Sequence, residues 1–129
     1  MKNAAAHGVS RRIRFIAEDL FQPSVRHSGW ADMVVSNPPY IPTGLLAGLE
    51  PEVRAEPVLA LDGGQDGLTA IRAIAADAPR HLKAGGFLAL EIGFDQGPAV
   101  RALLKERGFK DCEVIKDAAG HDRIAIGKW

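Results

Sequence analysis

The sequence predicts an α/β domain on a mostly parallel sheet that ends in an antiparallel hairpin. Three observations lead there. "ADMVVS" and "GGFLALEIG" are short apolar runs of the kind that buried parallel strands show. Two further stretches carry apolar residues at helical spacing, one between these runs and one after them. "CEVIKD" and "RIAIGK" then follow with only "AAGHD" between them, a linker short enough for a hairpin.

In chain order, "NAAAHGV" reads as the last turn of a helix, with Gly8 in the left-handed position that ends it. "RRIRFIAEDLF" alternates, which puts Ile13, Phe15 and Ala17 on one face of an expected strand. "ADMVVS" is the next strand. From Asn37 to Asp66 the chain is irregular and rich in Pro and Gly, and loops that long inside compact domains usually carry function. "DGLTAIRAIAADAPRHLKAGG" places Leu68, Ile71, Ile74, Ala75, Ala78 and Leu82 at helical spacing, and Pro79 should kink or restart that helix. After the strand "GGFLALEIG", "PAVRALLKERGF" is a second helix with Pro98 in its first turn and Gly108 at its end.

Composition excludes several classes. The chain has 129 residues, the size of one domain, and 16 basic against 16 acidic side chains. That balance gives no electrostatic footprint for direct nucleic-acid binding and no pull toward an anionic membrane. No apolar run approaches the ~20 residues of a membrane span. No basic region precedes an apolar stretch in the secretory manner, so a cytoplasmic location is the expectation. Cys112 is the single cysteine, which leaves no internal disulfide and no cysteine metal site; it reads as a small edge residue. His7, His27, His81 and His121 lie far apart without ligand spacing, so no metal is expected.

The chemistry concentrates in "DMVVSNPPYIP". Open parallel sheets bind ligands beyond the carboxyl ends of their strands, and "SNPPY" stands at such an end. Pro38 and Pro39 have no N–H, so the ladder must stop there. Asn37 and Pro38, each preceding a proline, are pushed into extended backbone. The turn is stiff and its carbonyls need donors. Asn37 adds a side-chain carbonyl, and Tyr40 a flat apolar face. Two acceptors and a ring suit a planar ligand carrying an NH2 group. Such a nitrogen is a poor nucleophile, and acceptors that fix it and favour positive charge on it suit methyl transfer. Taken alone, Asn-Pro and Pro-Pro are common turn punctuation, and a rigid loop without chemistry is the plainer reading. Elsewhere, Gln65 of "GGQDG" reads as a loop residue before Asp66, the expected helix cap. Glu91 reads either as a buried polar residue near the site or as a strand-end carboxylate, with the structural role favoured. Asp117, Asp122 and Arg123 read as hairpin ion pairing.

"NPPY" resembles the signature of S-adenosylmethionine-dependent methyltransferases acting on planar nitrogen. "VSNPPYIP", "EPEVRAEPVLALDGGQDGL", "LKAGGFLALEIGFDQG" and "GHDRIAIGK", in that order, resemble the release-factor glutamine methyltransferases, the PrmC/HemK family, along almost the whole chain. The resemblance implies a Rossmann-like methyltransferase sheet, S-adenosyl-L-methionine as methyl donor, and peptide-chain release factors as partners. The implied reaction is N5-methylation of the glutamine amide in their GGQ motif. Asn37 and the Pro38 carbonyl would hold that amide, and Pro39 and Tyr40 would shape its slot. Asn37, Pro38 and Tyr40 are thus the implied catalytic set. Asp19 and Leu20, in "AEDLF", match positions that flank the cofactor's adenine, with Asn37 also on the cofactor side. Several family members carry a bulkier aromatic where Leu20 stands. The family's glycine-rich cofactor loop, ribose-binding acid, first two strands and small helical domain would lie before residue 1. Residues 1–129 are therefore expected to be the C-terminal portion of a catalytic domain, from a truncated gene product, a fragment or a misplaced start. Activity should need the missing part, cofactor binding should be weak, and exposed strand edges could pair in a homodimer. Two alternatives stay open: an adenine or guanine amino-group methyltransferase of nucleic acids, which shares "NPPY", and a non-catalytic remnant.

Overall fold

The computed structural model describes residues 1–20 and 29–129; Phe21 of the first expected strand and His27 lie outside them. The centre of the fold is Leu82–Glu91 (β2), where alternation sends Leu88 and Leu90, with Ile92 just beyond, into the core and leaves Phe87 partly in water. Ala31–Ser36 (β1) lies parallel to it, with Val34 opposite Leu88. Lys110–Lys116 (β3) and Asp122–Lys128 (β4) form the expected hairpin, and β4 runs antiparallel to β2. The order is β1-β2-β4-β3. One pairing of this mixed sheet is parallel and two are antiparallel, a smaller parallel share than expected.

Thr69–His81 (α4) and Gly97–Glu106 (α5) supply the other half of the core. Ile71, Ile74, Ala75 and Ala78 of α4 and Val100 and Leu104 of α5 pack with Leu88, Leu90, Ile92 and Ala125. Pro79 neither kinks nor restarts α4, which is continuous from Thr69 to His81. The proline falls in the last turn, so a single intrahelical bond is forfeited, and the buried stripe ahead of it holds the axis. Pro98 sits in the first turn of α5, and Gly108 ends it at φ 93°.

Both of these helices cover one side of the sheet. On the other side the register aligns Met33 with Phe87, Val35 with Ala89, and Ala89 with Ile126. That face stays open among the described residues, and Val35 is 71% exposed. An apolar strand is thus not buried on both faces: of β1 only Ala31 is fully covered.

At the N-terminus, Lys2–Ala6 (α1) ends as expected, with Gly8 at φ 66°. The strand expected over "RRIRFIA" does not form. A 3-10 turn, Ser10–Arg12, leads into irregular backbone, and Ile13, Phe15 and Ile16 stay about half exposed. Alternation defines a face, but a strand exists only through a ladder, and no described neighbour supplies one. The irregular stretch after β1 holds three short turns: a 3-10 segment at Thr43–Gly48, Pro51–Arg54 (α2) and Val58–Leu61 (α3).

The β3–β4 turn is built on Asp117, whose carboxylate accepts the N–H of Ala119 (2.9 Å) and of His121 (3.0 Å) and pairs with Arg123 (3.1 Å). Lys116 pairs with Asp122 at 2.8 Å. Cys112 lies on the edge strand β3 but is buried, and that burial raises its thiol pKa. Among the described residues no helix is long and apolar enough to cross a membrane, and no cluster of His, Cys, Asp and Glu could hold a metal ion.

Candidate active site

β1 and β2 end side by side, Ser36 opposite Leu90, and the two prolines stop β1 there. Asn37 stands exposed, Pro38 is buried, and Pro39 and Tyr40 are partly covered. Asn37, Pro38 and Tyr40 line one cleft of about 270 Å³, with Ile41, Val53, Glu56, Ala60 and Leu61 as its remaining wall. Pro39 faces a neighbouring cleft of about 380 Å³, which it shares with Asp19, Leu20, Leu59, Gly64 and Thr69. The six expected site residues therefore divide between two clefts that meet at the proline pair. Asn37 lines the first and not the second, although a cofactor-side role was expected of it too.

The turn is held by a second loop. The Ile41 N–H donates to the Leu61 carbonyl (3.0 Å), the Gly63 N–H to the Ile41 carbonyl (2.8 Å), and the Thr43 N–H to the Gly64 carbonyl (2.9 Å). Asp62 completes the join, accepting from the Thr43 hydroxyl (2.7 Å) and the Gly64 N–H (2.9 Å). Those two bonds, the Thr43 one foremost, lower the Asp62 pKa. Gly67 passes so close that a Cβ there would collide with the Tyr40 carbonyl and lie 2.6 Å from Gln96 Nε2, and its φ of 74° favours glycine besides.

Gln96 and Asp62 were not singled out in the sequence. The Gln96 amide Nε2 donates to the Tyr40 carbonyl (3.0 Å) and the Gly67 carbonyl (3.3 Å), and its Oε1 accepts the Gly93 N–H (2.9 Å). The available signal was a polar residue set among glycines, "GFDQG", at the start of an apolar-striped helix. Glu91, read as structural, reaches the site: the Tyr40 hydroxyl donates to it at 3.4 Å. Burial, and then the Glu91 charge, raise the Tyr40 pKa, while Arg123 works in the opposite sense. Asp66 lies outside the first turn of α4 rather than at its cap. It accepts the Leu68 N–H (3.2 Å) and pairs with Arg72, which brings its pKa down to about 2. Gln65 is exposed in the loop, as expected.

A strand end stopped by two prolines, opening on a cleft with an amide and a ring, sits on a sheet of the Rossmann-like methyltransferase class. No family model matches the chain. The release factor glutamine methyltransferase of Agrobacterium fabrum is 48% identical over 124 residues, covering 95% of this chain and 42% of that protein. That of Neisseria gonorrhoeae is 44% identical over 128 residues, 99% of this chain and 46% of that protein. The crystal structure of the protein-(glutamine-N5) methyltransferase (release factor-specific) from Alicyclobacillus acidocaldarius aligns with a TM-score of 0.53 at 30% identity, covering 99% of this chain and 61% of that one. Over nearly its whole length the chain is similar to the C-terminal part of release factor glutamine methyltransferases. It spans less than half the length of these curated relatives.

Proposed function

We propose that this chain is the amide-holding portion of an S-adenosylmethionine-dependent methyltransferase that modifies N5 of the GGQ glutamine in peptide-chain release factors. The observation that carries the reading is the convergence of Asn37, Pro38 and Tyr40 on one cleft at the carboxyl end of β1. The substrate amide would donate its two N–H bonds to the Asn37 side-chain carbonyl and the Pro38 carbonyl. Those acceptors would hold the nitrogen in line and favour positive charge on it as the new N–C bond forms and the donor's C–S bond breaks, after which the nitrogen would give up one proton to water. The Tyr40 ring would cover the amide plane and exclude water, held by its hydroxyl on Glu91 and its carbonyl on Gln96.

The residues present fit the adenine end of the cofactor. The second cleft joins the Asp19 carboxylate, an acceptor for an exocyclic amine, to apolar walls at Leu20, Pro39 and Leu59. When bound, S-adenosylmethionine supplies an electrophilic methyl group. In this reading residues 1–129 are the C-terminal portion of a catalytic domain, turnover needs the rest of that domain, and the work is done in the cytoplasm, where release factors act.

The test is methyl transfer from labelled S-adenosylmethionine, with the chain alone and fused to the N-terminal part of a relative. Substrates are a release factor, the same factor with its GGQ glutamine replaced by alanine, DNA and ribosomal RNA. Label on the intact factor alone, from the fusion, is the expected result. Label on nucleic acid, or none from the fusion, rejects the reading.

A further inference from the structure

We propose that Gln96 is a positioning residue: its carboxamide fixes the backbone of the Asn37–Tyr40 turn against the Gly63–Gly67 loop. This rests on the reading of that turn as the amide-holding site. Gln96 is 8% exposed, and three loops meet on it. Its amide donates on one side, to the carbonyls of Tyr40 and Gly67, and accepts on the other, from the Gly93 N–H. A carboxamide offers both at that length at neutral pH; a carboxylate cannot donate and a thioether donates nothing. A Cβ at Gly67 would lie 2.6 Å from Nε2, so the amide fills the space between the loops. Pro38 and Pro39 lock φ between the clamped Tyr40 and Asn37, so a shift at the Tyr40 carbonyl passes to the acceptors instead of being absorbed.

Gln96→Glu tests this. As a carboxylate the new side chain sets an acceptor against two carbonyls. Burial and those carbonyls raise its pKa above the ordinary value of about 4.3, and below the raised value its O–H becomes a donor again. Hydrogen exchange on the 129-residue chain, expressed as protection factors, compares the loop amides of Ile41, Thr43 and Gly63 with the β2 amides of Leu88 and Leu90. At neutral pH the loop amides should lose about tenfold in protection while β2 is unchanged. Acidification should reverse the loss. Gln96→Met should show the loss without the reversal. Wild-type protein followed over the same pH range accounts for Asp62 and Asp66 of the clamped loop, which titrate in acid, and for Asp95, Asp122, Glu91 and Tyr40 on the other adjoining segments. A uniform loss in loops and β2, unchanged loops, or a loss that acid does not reverse would overturn the proposal. In the fused enzyme, Gln96→Glu should lower kcat about tenfold and leave KM for the release factor unaltered. If wild-type fusion transfers no methyl group, the functional reading fails, and the exchange data still decide what Gln96 holds.

Discussion

Asn37 ends an edge strand in water, so its removal should separate chemistry from stability. Asn37→Ala should move the unfolding free energy by no more than about 0.5 kcal/mol, as exposed substitutions do. Loss of an acceptor matched to the transition state should cut methyl transfer by about a hundredfold. Denaturant titration and turnover by the fused enzyme read the two effects, and near-normal turnover would remove Asn37 from the chemistry. Tyr40 is the chain's one tyrosine, so tyrosinate absorbance reports it alone. It should titrate above the ordinary 10.0, because burial and then Glu91 oppose the phenolate. Glu91→Gln should lower the midpoint without bringing it to 10.0, since burial is the larger cause. A midpoint unmoved by Glu91→Gln would mean the carboxylate does not act on the ring. The unfolded chain gives up this proton first, so stability should fall as pH rises from near 10 through the higher folded value.

At the scale of elements, Asp66 and Arg72 tie the entry loop to α4. The Asp66 pKa is depressed to about 2 from 3.8, so its contribution is complete above the unfolded value and fades as pH falls from near 4 toward 2. Asp66→Asn should flatten the acid limb of the stability profile across that window, as measured by chemical denaturation at each pH. An unchanged slope would show that the pair adds nothing to folding. The elements read correctly from sequence are those decided locally. In α4 and α5 the apolar spacing and the buried stripe coincide, and in β3–β4 a short linker leaves no choice but a hairpin. "RRIRFIA" failed because its alternation says nothing about who pairs with it. Pro79 misled because a helix ending against β2 tolerates one lost bond near its terminus. Gln96 was illegible for the same reason of distance: its acceptors lie 56 and 29 residues away in sequence. The place of the NPPY turn at a strand end could be read because two consecutive prolines must stop the ladder.

In the molecule as a whole, two helices cover one sheet face and leave Met33 and Val35 of the edge strand β1, and Ile124 of β4, on the other. An apolar edge strand whose outer N–H and C=O groups meet no strand among the described residues favours pairing with a second copy. Sedimentation should show concentration-dependent dimers of the 129-residue chain. Val35→Lys, which charges that edge, should restore the monomer with the unfolding midpoint unchanged. Dimers that persist in Val35→Lys would place the contact elsewhere. The bonds from residues 41–43 to residues 61–64 have a different consequence. They close a neck through which residues 44–60 leave the domain and return. For a loop already closed at its base, doubling the length costs only about 0.6 kcal/mol. Val53, Glu56 and Ala60, which wall the cleft opposite Asn37, all belong to that excursion. Its length and lining can therefore be rewritten while the NPPY turn, anchored below the neck, keeps its shape.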